Sequence, residues 1–467
     1  MSCPLVNTRW AVSSFGSNSN GQLATADLLD YSAPQHNYFF SSVKHKQPEY
    51  CNIPVPSCIH SIADSTPPII VSGGNHSFLY WENLPFLYGC GSTINGELGC
   101  IQNLPDSCFS DIKNKDIIYK WTPLPLPQEK SLICTNSSDL MSNTSLVSQY
   151  PFQCSCQNKP IASIKSIKVG WNHSLLLTTE GLLYATGNNL YGQCGLSLES
   201  TKNLFGWKQV IFPTEPSNVE VNTRLKISQI ACGLRHTIAL TSCGRIYAWG
   251  SNSKNQLGIP VDIAQDQPAK QTQFNNKPIY QKIKSKQRNV MSPTLIHLPV
   301  QQIHGDKIQV SCGRNHTAYL VIRTQTLNIF LHVAGKSKLY DNVSSFVDSK
   351  QIIDSAWTYI DIFPYLISNN TSKDKEEIKS ILSELVQSGD IHFNLVSSWD
   401  NIFIFAKLLN SDQHTRICKK IPDYFKSVIA FGSNEFSIMG DYSSKVDNVS
   451  VMNDSTEHKR TIFEILN

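Results

Sequence analysis

The chain has 467 residues, of which 40% are hydrophobic and 16% charged, and its formal net charge is +4. That is enough apolar material for a packed core, and too few charges for a coiled coil or a strongly basic nucleic-acid binder. The small positive excess is spread along the chain, so bulk electrostatics select no partner.

The opening "MSCPLVNTRW" has no apolar signal-peptide core, and no stretch approaches the length of a membrane span. A cytoplasmic, and also nuclear, monomer with no membrane and no direct nucleic-acid partner is expected. In chain order, "WAVSSFGSNSNGQL" (10–23) reads as a strand broken by a Gly/Asn-rich tail, and 34–66 as an inserted loop. "VSGGNHSFLYWENLPFLYGCGSTINGELG" (71–99) then gives two apolar runs flanking a turn, with the same kind of tail. A second insertion covers 100–160, interrupted by "KWTPLPLP" (120–127), a short strand stopped by proline. "VGWNHSLLLTTEGLLYATGNNLYGQCGL" (169–196) repeats the order, and "WKQVIFP" (207–213) reads as another proline-stopped strand.

The clearest unit is "IACGLRHTIALTSCGRIYAWGSNSKNQLGIP" (230–260). His236, Ile238 and Leu240 alternate with Thr237 and Ala239, and Arg245, Tyr247 and Trp249 alternate with Ile246 and Ala248. Period-two alternation around Ser-Cys-Gly predicts a hairpin, and apolar or small side chains on both faces predict a sheet covered on both sides. After a third insertion (261–290) come "SPTLIHLP" (292–299), the first half-unit "VSCGRNHTAYL" (310–320) and a poor second half, "HVAGKSKL" (332–339). Ile378, Ile381, Leu382 and Leu385 recur at helical spacing, so an inserted amphipathic helix is expected over about 373–388. "VSSWDNIFIF" (396–405) is a degenerate first half in which Trp399-Asp400-Asn401 replaces the usual Gly-x-x-His, and "SVIAFGSNEFSIMGD" (427–441) is its second half.

The phasing shows that these are copies of one unit. His76 to Gly91 is 15 residues, while His173 to Gly187 and His236 to Gly250 are both 14. The distances between the successive motif histidines His76, His173, His236 and His316 instead range from 63 to 97. Fixed spacing inside a unit and elastic spacing between units mark a repeat architecture whose long loops lie between conserved pieces. Four-stranded blades need about 40–50 residues each, so the units read as blades of an all-β propeller spanning 1–467. The repeat positions are Gly74, His76, Gly91, Gly170, His173, Gly187, Gly233, His236, Gly250, Gly313, His316 and Gly432.

Candidate chemistry is sparse. One histidine per blade cannot converge on a metal ion that needs three or four ligands in one sphere. The expected role of these residues is structural, with ring nitrogens bonded to backbone groups. "GCGSTING" (89–96) lacks the P-loop lysine, and no helix follows it. No Gly-x-Ser-x-Gly, His-Glu-x-x-His or kinase-like set occurs, so no catalytic residue, cofactor or metal is expected and the chain is read as a non-enzyme. Of the 14 cysteines, Cys90, Cys194, Cys232, Cys243 and Cys312 fall inside repeat strands or turns and read as reduced thiols. The sequons at Asn75, Asn172 and Asn315 belong to the repeat motif itself. Trp171 and Trp399 replace ordinary motif residues: they are either partner anchors, where aromatics often dominate, or core aromatics, the commoner use of tryptophan.

The order Gly-x-x-His-(Ser/Thr), turn, apolar strand, Gly-Ser-Asn-x-x-Gly-(Gln/Glu)-Leu-Gly resembles the repeat of the regulator of chromosome condensation (RCC1) family. The resemblance implies a seven-bladed β-propeller. Six second halves but five first halves are visible, so the seven-bladed ring is expected to be incomplete at the C-terminus, short of one full blade and of the first-half strand that completes the unit begun at Trp10. "FGSNSNGQL", "GGNHS" with "GCGSTINGEL", and "KWTPLPLP" before "VGWNHS" are similar to fungal RCC1-like proteins of the alpha-tubulin suppressor and killer-toxin-insensitivity group. That likeness implies a partner, the zinc-ribbon diphthamide-biosynthesis protein. It also implies a role in Elongator-dependent modification of tRNA wobble uridines and in diphthamide synthesis. The alternative implied by the wider family is guanine-nucleotide exchange on, or regulation of, a Ran- or Rab-like small GTPase.

Overall fold

The computed structural model describes residues 11–38, 66–99, 104, 106–109, 115–127, 163–196, 202–213, 225–259, 289–296, 305–336, 357–362, 372–408, 428–431 and 449–452. Among them the expected unit recurs as a four-stranded antiparallel meander. The first such sheet is β3 (Ile69–Ser72), β4 (His76–Tyr80), β5 (Leu87–Ser92) and β6 (Ile117–Pro123). The second is β7 (Ile164–Val169), β8 (His173–Thr178), β9 (Leu183–Asn188) and β10 (Asn203–Gln209). The third is β11 (Ile227–Cys232), β12 (His236–Thr241), β13 (Ile246–Gly250) and β14 (Val290–Ile296). The fourth is β15 (Lys307–Cys312), β16 (His316–Arg323), β17 (Asn328–Gly335) and β18 (Trp357–Asp361). The fifth is β19 (Ile391–Ser397), β20 (Ile402–Leu408), β21 (Val428–Phe431) and β22 (Val449–Met452). Ahead of them all, β1 (Ala11–Gly16) pairs with β2 (Tyr31–Tyr38).

The chain divides into two compact units, Met1–Ile230 and Ala231–Asn467, with the boundary inside β11. The first unit is packed around Phe78, Leu87, Leu98, Ile118, Ile164, Ile167 and Leu176. The second has one cluster around Ile238, Ile246, Tyr319 and Trp357 and another around Leu320, Ile329, Leu331, Phe393 and Ile404.

Strands β12 and β13 are buried along their whole length, as the apolar residues on both of their faces require. Their register sets His236 opposite Gly250, and the same pair recurs as His76–Gly91, His173–Gly187 and His316–Gly335. These four glycines have φ between +94° and +110°. A Cβ at Gly91, Gly187 or Gly250 would press into the backbone just before the paired histidine. The histidine-to-glycine spacing is therefore the length of a hairpin whose far end closes on a residue without a side chain, 14 or 15 residues in the first three of these hairpins and 19 in the longer fourth.

Several boundaries differ from the sequence reading. The loop expected from residue 34 begins later, because β2 runs to Tyr38 and pairs Ala11 with Tyr38. The proline-stopped segments are the fourth strands, shifted two to four residues toward the N-terminus; at the sheet edge Pro123 and Pro293 sacrifice no ladder bond on the outer side. "HVAGKSKL", read as a poor second half, is the end of β17, which pairs with β16 without interruption from His316↔Gly335 to Arg323↔Asn328. The helix is α1 (Ser372–Ser388), which buries Leu382, Leu385 and Val386 against the cluster around Leu320 and Phe393 and ends at Gly389 with φ +80°. Gly432 lies outside the described residues.

Candidate functional site: buried histidine clasps beneath an exposed aromatic and arginine turn

Each Gly-x-x-His motif closes a tight turn between the first and second strands of its blade. Gly73, Gly170, Gly233 and Gly313 donate their backbone N–H to the carbonyls of His76, His173, His236 and His316, at 2.8–3.0 Å. Ser398 does the same to Asn401 at 2.9 Å, so the degenerate motif keeps the turn. A Cβ on Gly233 or Gly313 would collide with the imidazole three residues on. Where Asn401 replaces the larger ring, Ser398 replaces the glycine. This register corrects one assignment: the motif glycine of the first full blade is Gly73, not Gly74.

All four histidines are fully buried. For His76 and His236 the Nε2 partner is a side-chain hydroxyl of the following blade, not the backbone group expected, and His76 Nδ1 pairs with Asn75 Oδ1 at 3.0 Å. His76 Nε2 lies 2.7 Å from Ser174 Oγ, and His236 Nε2 lies 3.1 Å from Thr317 Oγ1. Ser174 donates to the carbonyl of Glu97 at 2.8 Å and Thr317 to that of Gln256 at 2.7 Å. Ser77 likewise donates to the carbonyl of Gln22 at 2.9 Å. Ser174 and Thr317 thus each clasp two parts of the preceding blade: its histidine and the backbone of its Gly-(Gln/Glu)-Leu tail. His316 is the exception, since both ring nitrogens lack a partner. The residue that would supply its hydroxyl, by position, is Ile402.

Burial sets the protonation of these rings. Desolvation lowers the pKa of His76 and His173 to about 3 and that of His316 to about 4, with the neighbouring His173 adding to the effect at His76. Neutral imidazoles locked one per blade are poor general acids or bases, and no group of three or more His, Cys, Asp or Glu that could hold a metal ion occurs among the described residues. Cys90, Cys194 and Cys312 are free and buried, with thiol pKa values raised by desolvation, whereas Cys243 is exposed on its turn.

The residue after the motif glycine faces outward, and here the two tryptophans stand apart from core aromatics. Trp171 is 40% exposed and Trp399 47%. In the first unit Trp171 covers Gly74, where a Cβ would stand 2.5 Å from the indole ring. Gly74 is therefore not a motif glycine but the gap that admits this ring. In the second unit three successive turns are linked: Leu234 N–H donates to Arg314 O at 3.2 Å, and Arg314 N–H to Trp399 O at 2.8 Å. The Arg314 guanidinium lies over the Trp399 ring, 4.5 Å from its centroid. Sequence inspection singled out the tryptophans but missed Arg314, although its position after Gly313 matched theirs.

Profiles of the regulator of chromosome condensation (RCC1) repeat match residues 164–193 and 227–256, and again 180–240 and 243–320. The chain carries RCC1 repeats. It is similar to the ultraviolet-B receptor UVR8 of Arabidopsis thaliana, at 24% identity over 57% of this chain and 54% of the relative. Protein pim1 of Schizosaccharomyces pombe is 31% identical over 34% of this chain and 26% of its own length. The RCC1-like G exchanging factor-like protein of Mus musculus is 24% identical over 55% and 52% of the two chains. The chain thus spans about a quarter to a little over half of these three relatives. Among solved structures, human WBSCR16 matches 78% of this chain and 61% of its own at 15% identity and a TM-score of 0.42; yeast RCC1 (Prp20) bound to Kap60 matches 88% and 91% at 15% identity and a TM-score of 0.31. The RCC1 repeats account for the meander sheets as blades of an all-β propeller fold, and no helix among the described residues is long and apolar enough to cross a membrane.

Proposed function

We propose that this RCC1-repeat chain is a non-catalytic scaffold of the cytoplasm and nucleus, with 1–467 forming one propeller, and that exposed residues of its Gly-x-x-His turns dock a partner protein. One observation carries the reading: the chemically versatile histidines are sealed inside the blades as clasps, while the adjoining turn position exposes Trp171, Arg314 and Trp399. Large aromatics and arginine are the residues that dominate interface energetics. The likeness to the alpha-tubulin suppressor group favours the zinc-ribbon diphthamide-biosynthesis protein as partner, and with it support of tRNA wobble-uridine modification and diphthamide synthesis. The test is co-purification of the tagged chain with the zinc-ribbon protein from its own cells, compared with Trp171→Ala and Trp399→Ala. Loss in either variant with an unchanged circular dichroism spectrum supports the reading, and undiminished recovery with both overturns these turns as docking residues.

The similarity to pim1 and to the mouse exchanging-factor-like protein favours a second reading, regulation of a small GTPase. Prp20p has been studied for binding to Gsp1p and histones. Release of a fluorescent guanine nucleotide from Ran- and Rab-like GTPases separates the two readings: acceleration by the purified chain favours exchange, and an unchanged rate favours the scaffold.

A further inference from the structure

We infer that the turn side of the second unit is a docking site for an acidic segment of a partner protein, with Arg314 as its central carboxylate-binding group. The inference rests on the scaffold reading and adds the chemistry of what is bound. Four exposed cations gather at this end: Arg235 and Arg314 in the Gly-x-x-His turns, Lys254 in the loop after β13, and Lys336 just after β17. The backbone ties these segments together. Ser251 N–H donates to Arg235 O at 2.8 Å, and Lys336 N–H to Asn315 O at 2.9 Å. The Thr317 hydroxyl holds the carbonyl of Gln256, two residues after Lys254. The acid on these turns is Asp400, half-buried beside Trp399. Among the described residues these turns therefore carry a local positive excess that the chain's modest overall charge of +4 conceals.

Arg314 is the best-prepared of the four. A guanidinium held over an indole loses side-chain freedom in advance, and its N–H groups that do not face the ring can take a carboxylate in a two-pronged fork. The exposed half of Trp399 borders that fork and offers apolar contact to the stem of the incoming residue. Nucleic acid fits less well. Arg314 already covers one face of the ring on which a base would stack. The four cations fall in pairs on two blades and form no continuous stripe of the kind that a phosphate backbone follows.

The experiment uses the full-length chain and a fluorescein-labelled poly-glutamate peptide, followed by anisotropy at low and moderate salt. Arg314→Glu is expected to weaken binding by at least about tenfold and Trp399→Ala by several-fold. Arg314→Lys, which keeps the charge and loses the fork, falls between. Arg245→Glu, on the turn at the opposite end of β12 and β13, serves as the surface control and leaves affinity within about twofold. Circular dichroism and the denaturant midpoint of each variant check that it folds. Equal loss with Arg245→Glu, no loss with Arg314→Glu, or a single-stranded oligonucleotide displacing the peptide at lower concentration than unlabelled poly-glutamate would each overturn the inference. The scaffold reading is scored separately by the co-purification above: recovery of the zinc-ribbon protein that persists in Arg314→Glu rejects the acidic-segment site and leaves the scaffold standing.

Discussion

Acidification from pH 7.5 to 5 is expected to strip the fold of much of its stability, and the buried imidazoles set the amount. His76 and His173 in the first unit, and His316 and His332 in the second, are desolvated rings with pKa values lowered to between about 3 and 4. In the unfolded chain the same groups titrate near 6.5. Above that value both states are neutral and the rings contribute no pH dependence. As pH falls below it, the unfolded chain takes up protons that the folded chain refuses, so stability declines until the folded values are reached. At pH 5 the loss is set by the unfolded value and comes to about 2 kcal/mol per ring, or roughly 4 kcal/mol for each compact unit. That is comparable with the whole stability of an ordinary domain. The assay is urea unfolding followed by tryptophan fluorescence at pH 7.5, 6 and 5, with proton uptake on unfolding measured in weakly buffered solution near pH 5. About four protons are expected. His316→Asn, the residue that the fifth blade itself carries at this position, should remove one of them and recover about 2 kcal/mol of the acid loss. A stability that changes by less than about 2 kcal/mol over this range, or an uptake below one proton, would refute the sealed neutral rings.

Three further outcomes test the clasps and the outer turn. Thr317→Val keeps the shape but leaves His236 Nε2 and the carbonyl of Gln256 without their hydroxyl; a loss of about 2–4 kcal/mol in urea unfolding is expected, against less than about 1.5 kcal/mol for the control Ile402→Val. Gly74→Ala should drive the Trp171 ring from its seat, shift the tryptophan emission and cost about 1–3 kcal/mol, while Trp171→Ala in the same chain restores most of that. Glu97 is buried where other blades carry Gln22, Gln193 and Gln256, and desolvation raises its pKa, so its stabilising influence is present at low pH and lost as pH rises through the raised value. Glu97→Gln is therefore expected to raise stability at pH 8 by up to about 1 kcal/mol, with the gain vanishing toward pH 4, and measuring the acid series in this background removes Glu97's opposing proton uptake.

How much of this was readable beforehand follows from distance along the chain. The hairpin over 236–250 was legible because alternation and a fixed spacing are local, and α1 because its apolar stripe is local too. The register error between Gly73 and Gly74 arose because adjacent glycines have different duties, one against the backbone of Gly170 in the next turn and the other beneath a tryptophan 97 residues later. The histidine partners escaped notice for a similar reason: His76 and Ser174 are separated by 98 residues, and period and composition carry no sign of such pairs. Trp171 and Trp399 stood out as departures from the motif. Their exposure depended on the neighbouring turns, and so could not be told from a core position by residue type alone.

The tail after each third strand has one more consequence. Gly99 lies against Trp207 on β10, and Gly258 lies under Trp357 on β18, whose indole N–H donates to the Gly258 carbonyl at 3.0 Å. A wedge emerging from the ribosome thus holds an unfinished latch until its successor has also been made. Synthesis must run well beyond a given wedge before that wedge can lock. Pauses or breaks in translation would leave the last-made piece open to proteases, and the chain's resistance to digestion should grow in steps the size of a wedge instead of residue by residue.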